Sequence, residues 1–162
     1  MAEVAIAALV SDFAAAWTAR DLDRLRRLWA LDDPGAYYLA AGAREPAFGP
    51  GSVESHFRLT IARHGRLFWR IEGLRSRTLD ADTATAFFFA DWAARRAEPA
   101  GVPEQAPVGG RLKCAATFRR MGNTWRFLNL AEAAYAPFRF FVSDFERDAE
   151  DGFAGMPRRV AP

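Results

Sequence analysis

The chain has 162 residues, 51% hydrophobic and 14% aromatic, enough to bury one sizeable core and too apolar for disorder over most of its length. Its formal net charge is only +2, with basic and acidic residues interspersed and no basic stripe, which argues against a nucleic-acid partner. One cysteine, Cys114, gives no disulfide framework, and with two well-separated histidines it offers no metal-ligand spacing, so neither a metal nor another cofactor is expected.

Residues 3–19 place Ile6, Leu9, Val10, Phe13, Ala14 and Trp17 at helical spacing. The apolar start lacks a preceding basic region and is interrupted by Glu3 and Asp12, so it reads as neither a signal peptide nor a membrane span, and a cytoplasmic location is expected. Asp21 reads as the N-cap of a second helix with the stripe Leu22, Leu25, Leu28 and Trp29, ended by the turn residues Asp32-Asp33-Pro34-Gly35. Ala36–Ala41 is a short strand carrying Tyr37 and Tyr38. Gly49-Pro50-Gly51-Ser52 launches a third helix to about Arg63, with Ser52 as its expected N-cap; its glycine spacing matches no common phosphate-binding motif.

Strands follow at Leu67–Leu79, Thr83–Ala97, Arg111–Arg120 and Thr124–Ala134. Asp80-Ala81-Asp82 links the first two tightly, and Met121-Gly122-Asn123-Thr124 is a hairpin turn, since Gly and Asn tolerate the positive φ such turns need. Pro99, Pro103 and Pro107 make the connection between Ala97 and Gly110 long and non-helical, either a cover for a pocket mouth or a solvated loop. Beyond Pro137, Phe138–Phe145 predicts a short helix with an aromatic docking face, followed by a loose tail from Gly152. Helices followed by an antiparallel sheet indicate an α+β fold, with residues 1–135 as the domain and 136–162 as a C-terminal helical extension.

Four segments taken in order, Phe13–Trp29, Phe48–Phe57, Asp82–Ala86 and Gly122–Phe127, resemble the SnoaL-like branch of the nuclear transport factor 2-like (ketosteroid isomerase-like) superfamily. The resemblance covers about residues 4–134 and implies a cone-shaped curved antiparallel sheet wrapped around the N-terminal helices, a pocket in the open end, and a homodimer formed through the outer sheet face. It also implies several chemistries whose residues are replaced here. The oxyanion tyrosine of ketosteroid isomerases falls on Phe13 and their proton-shuttling aspartate on or near Ala40. The helix aspartate and strand histidine of the dehydrochlorinase and dehydratase type fall on Thr18 and Trp69, or Arg70 if the register slips by one, and an arginine near the end of the last strand falls on Leu130.

Strand alternation within that fold turns Leu67 and Trp69, then Phe88, Ala90 and Trp92, then Leu112, Cys114 and Ala116, then Leu128, Leu130 and Glu132 toward the interior, joined by Tyr38, Phe13 and Trp17. An apolar, aromatic lining of this kind suits a flat hydrophobic small molecule. Glu132 is either a general base whose pKa desolvation raises or a strand-end carboxylate paired in solvent. Tyr38 is either an oxyanion donor or a strand aromatic with one wet end, and His56 either an acid–base group or a satisfied helix position. His64 is placed to cap the end of the third helix, and Cys114 reads as an inert core thiol. Three functions fit: a cofactor-independent lyase, dehydratase or isomerase moving a proton on an aromatic or polycyclic molecule, a non-catalytic binding or accessory protein using the same pocket, and an interaction module relying on the Phe138–Phe145 segment. None involves a membrane.

Overall fold

The computed structural model describes residues 2–97 and 106–135, so the expected C-terminal extension lies outside the described residues, as does most of the proline-rich connection. Three helices precede most of the sheet: α1 (Ala2–Ala19), α2 (Leu22–Leu28) and α3 (Pro50–Arg63). The strands are β1 (Tyr37–Leu39), β2 (Ala47–Phe48), β3 (His64–Thr78), β4 (Thr83–Arg96), β5 (Val108–Met121) and β6 (Thr124–Ala134).

α1 buries Ile6, Leu9, Val10, Phe13, Ala14, Ala16 and Trp17, the residues of its apolar stripe together with Ala16. It is long and apolar enough to cross a membrane by length and composition alone, and that stripe is packed into the core. α1 ends where Arg20 takes a left-handed φ of 57° and donates to the Gly65 and Ile61 carbonyls at 2.9 and 3.3 Å. Asp21 caps α2 as expected, accepting from the Arg24 N–H at 2.8 Å. α2 stops at Leu28, earlier than the Asp-Asp-Pro-Gly turn, because Trp29 leaves helical geometry to bridge Phe127 and Ala30 N–H donates to the Phe127 carbonyl. Gly49, not Ser52, holds the N-cap position of α3 and provides no side-chain cap. His64 closes that helix, with its ring Nδ1 2.8 Å from the Thr60 carbonyl oxygen.

The sheet is curved and unclosed, with strand order β2-β1-β6-β5-β4-β3. It differs from a purely antiparallel sheet at one seam, where β1 joins β6 in parallel and the two-residue strand β2 extends the edge. β5 and β6 form the expected hairpin through Gly122 and Asn123. Only Gly122 needs a positive φ, at 60°, which is the glycine-first two-residue turn whose twist matches its strands. β3 is the opposite edge and carries two irregularities, between His64 and Arg66 and between Glu72 and Arg75, with Gly73 at φ 62° inside the second.

A third irregularity, in β6, alters the inner face. Thr117 pairs Asn129 while Phe118 pairs Phe127, leaving Leu128 as the extra residue. Simple alternation puts Leu128 inside; the bulge puts Phe127 there instead, fully buried, and leaves Leu128 half-buried outside the core cluster. The outer face carries a cross-strand row in which Asp91 accepts from Arg70 at 2.7 Å and from Arg111 at 2.8 Å, and Arg111 also binds Glu72. Those guanidinium groups hold the Asp91 carboxyl down to about 2.

The bulge predicts a contrast between neighbours. Phe127→Ala should cost about 3–5 kcal/mol of unfolding free energy, the range for deleting a buried aromatic. Leu128→Ala should cost well under half of that, measured by denaturant unfolding of both variants. Asp21→Ala should cost about 1 kcal/mol through the lost cap, read in the same experiment.

Candidate functional site

The parallel seam sets Tyr38 opposite Leu130 and Leu39 opposite Ala131. Two residues past Leu130 on the same face stands Glu132, directly across from Cys114 of β5. The Tyr38 hydroxyl donates to Glu132 Oε1, and the Ala41 backbone N–H donates to Oε2 at 3.1 Å. Burial raises the Glu132 carboxyl from 4.5 to about 6, against the pull of those two hydrogen bonds. Burial, with the Glu132 charge beside it, holds the Tyr38 phenol well above its usual range, so it remains a protonated donor. The same causes raise the Cys114 thiol, which therefore stays protonated and unreactive.

His56 of α3 stacks on the Tyr38 ring, with centroids 4.6 Å apart and planes 28° from parallel. Burial and the Arg63 charge lower its pKa to about 4, so the imidazole is neutral near pH 7. Behind this pair runs a closed circuit of rings: Phe13 meets Trp17 at 6.1 Å and Phe127 at 4.8 Å, Trp29 meets Phe127 and Phe57 at 5.5 Å each, and Phe57 returns to Trp17 at 5.6 Å. Within it the indole N–H groups of Trp17 and Trp29 have no hydrogen-bond acceptor.

Of the residues expected to line a pocket, Phe13, Trp17, Phe88, Leu112, Cys114 and Leu130 lie buried in the core. Trp69 and Trp92 are only partly buried against it, and Trp69 stacks on Trp17 at 6.1 Å with planes 15° apart. Leu128 is displaced by the bulge. Glu132, Tyr38 and His56 come together from β6, β1 and α3. Thr18 and Trp69, the positions where the resemblance places an acid–base dyad, are neighbours: the Trp69 N–H donates to Thr18 Oγ1 at 3.0 Å. Their side chains carry no dyad chemistry. Among the described residues, no three His, Cys, Asp or Glu side chains gather to hold a metal ion.

Sequence reasoning missed three contributors. Trp29 belonged to the α2 stripe but ends up stacked on Phe127, Phe57 sat beside His56 unremarked, and Phe127 was hidden by the bulge. The Ala41 N–H has no sequence signal, because any residue supplies that donor.

By sequence, neither a family model nor a curated protein matches the chain. Solved structures do match in fold. A proposed dehydratase of the nuclear transport factor 2-like family from Streptomyces avermitilis superposes with a TM-score of 0.71 at 17% identity, over 82% of this chain and 96% of that one. A proposed aromatic ring hydroxylase from Novosphingobium aromaticivorans gives 0.70 at 15% identity, covering 83% and 90%. A type 2 hexachlorocyclohexane dehydrochlorinase, LinA, gives 0.68 at 15% identity, covering 83% and 86%. Helices packed in a curved, unclosed six-stranded sheet, shared with these proteins across more than four-fifths of the chain, give this protein the nuclear transport factor 2-like fold.

Proposed function

We propose that the protein is a cofactor-independent proton-transfer enzyme, a lyase, dehydratase or isomerase, acting on a hydrophobic aromatic or polycyclic small molecule. The observation that carries this reading is the Glu132 carboxyl, raised to about 6 on an apolar inner face and held between the Tyr38 hydroxyl and the Ala41 N–H. A base with that affinity is ionised at neutral pH yet holds a proton more firmly than a solvated carboxylate, which suits abstraction of a carbon-bound proton. Glu132 takes the proton; Tyr38, kept protonated, donates to developing negative charge on the substrate or steadies the carboxylate. His56, neutral and stacked on Tyr38, contributes shape rather than charge. The proposed dehydratase and the dehydrochlorinase among the structural neighbours point to the same reaction class.

The non-catalytic binding reading is supported by a different observation: each Glu132 oxygen already has a protein donor, as a structural buried carboxylate would. The outer sheet face presents exposed Phe68, Phe87 and Tyr135, which supports a homodimer through that face in either case.

Proton transfer is read directly as solvent exchange. Wild-type protein should incorporate deuterium from D2O into 2-tetralone faster than buffer does, with a rate that rises with pH through about 6 as Glu132 ionises. Glu132→Gln should lower the rate by about 10²–10⁴, and Tyr38→Phe by a smaller factor. No exchange above buffer, or equal exchange in Glu132→Gln, sinks the enzyme reading.

The two shifted groups also act on stability with opposite signs. Glu132, raised, contributes stability that is full below pH 4.5 and lost as pH rises through about 6. His56, lowered from 6.5, contributes stability that is full above pH 6.5 and lost as pH falls through about 4. Between pH 4.5 and 6 the slopes oppose, each at most about 1.4 kcal/mol per pH unit. Relative to wild type, Glu132→Gln should therefore gain stability with rising pH across this window and His56→Phe should lose it, as measured by urea unfolding at half-unit pH steps.

A further inference from the structure

We infer that the open groove beside the start of α3 is a binding site for a flat aromatic small molecule, with His56 as the wall it shares with the Tyr38–Glu132 pair. The groove is a shallow, widely open depression of about 600 Å³ lined by Phe48, Gly49, Pro50, Gly51, Ser52, Ser55, His56 and Leu59. Its two large apolar residues are exposed, Phe48 at 63% and Leu59 at 52%. Phe48 is held in place by pairing of β2 with β1 and by ring contact with Tyr37 at 5.5 Å. Ser52, Ser55, His56 and Leu59 recur at helical spacing and form one face of α3.

Three features fit this surface to a ring rather than to an ion. Its two large side chains, Phe48 and Leu59, are apolar, and the imidazole between them is neutral near pH 7. The polar groups of the lining are the hydroxyls of Ser52 and Ser55, the latter already accepting from Arg58, the ring nitrogens of His56 and the backbone of the first turn of α3. The floor is open because Gly49 and Gly51 carry no side chain, and a Cβ built at Gly51 meets nothing within 4 Å. Gly51 has an ordinary helical φ, so a larger residue there would enter the groove without straining the backbone.

The groove is coupled to the chemistry through one ring. One side of His56 lines the groove, while its ring stacks on Tyr38, whose hydroxyl donates to Glu132. A ring seated between Phe48 and Leu59 would therefore meet the residue that stacks on Tyr38. That the bound molecule is a substrate rests on the enzyme reading; that it binds here does not.

The test uses 2-naphthol as the probe and the ring resonances of the two histidines as reporters. In wild-type protein at pH 7.5, 2-naphthol should shift the His56 ring signals in a saturable way and leave those of His64 in place. Gly51→Leu should weaken binding at least tenfold with an unchanged or raised melting temperature. Phe48→Ser, at an exposed position, should also weaken binding and serves if the leucine variant folds poorly. Glu132→Gln should bind 2-naphthol as wild type does, so loss of exchange activity alone leaves this site standing. Unshifted His56 signals up to the solubility limit of 2-naphthol overturn the site. A His56 shift with unchanged affinity in Gly51→Leu and Phe48→Ser also overturns it, because the ligand would then lie behind His56 in the interior.

Discussion

Every helix is tied to the sheet through the same circuit of rings. Phe13 and Trp17 come from α1, Trp29 from the end of α2, Phe57 from α3 and Phe127 from β6, and each touches the next. All are at most 1% exposed. Rings of this size bury more area than aliphatic side chains and prefer edge-to-face or offset contacts, so they fix angles between elements as well as distances. The position of α3 against β1, and with it the stack of His56 on Tyr38, follows from where Phe57 is held. Two indole N–H groups without acceptors are the local cost of packing so much aromatic surface together.

Much of this was legible in the sequence, and the failures have physical causes. The helical stripe of α1, the Asp21 cap, the His64 cap and the β5–β6 hairpin are local signals, and each appears where the residues place it. The order of segments was enough to indicate the fold. What failed was non-local. β1 is three residues long and pairs in parallel with a strand about 90 positions away, a partnership that three residues cannot announce. The bulge at Leu128 inverts the face of a neighbour without any glycine or proline to mark it. Ser52 had the right chemistry for a cap, but the helix begins two residues earlier, at a proline that suits the first turn. Glu132, Tyr38 and His56 were each picked for separate reasons, and their convergence depends on the parallel seam.

Carboxylates on the two faces of one sheet show how environment sets chemistry. Asp91 lies on the outer face between two guanidinium groups and is driven down to about 2. Glu132 lies on the inner face with only neutral donors and is driven up to about 6. Hydrogen bonds lower both; what separates them is that Asp91 has full positive charges nearby whereas Glu132 has only neutral donors and is partly withdrawn from water. A sheet one residue thick thus keeps a permanently charged group and a readily titrated one a short distance apart.

The long edge strand has a consequence for how copies of the protein can meet. β3 runs for 15 residues and, among the described residues, pairs with a strand on one side only, the kind of template that lets identical chains add to one another as a growing ribbon, although Thr18 and Arg20 already bond its Trp69 N–H and Gly65 carbonyl. Its two irregularities interrupt the straight ladder, and Arg66, Arg70, Glu72, Arg75 and Arg77 line it with charge, Arg70 bridging both Glu72 and Asp91. A second chain laying a strand along this edge would meet a broken ladder and a row of charged side chains. Growth by strand addition along this edge is thereby discouraged.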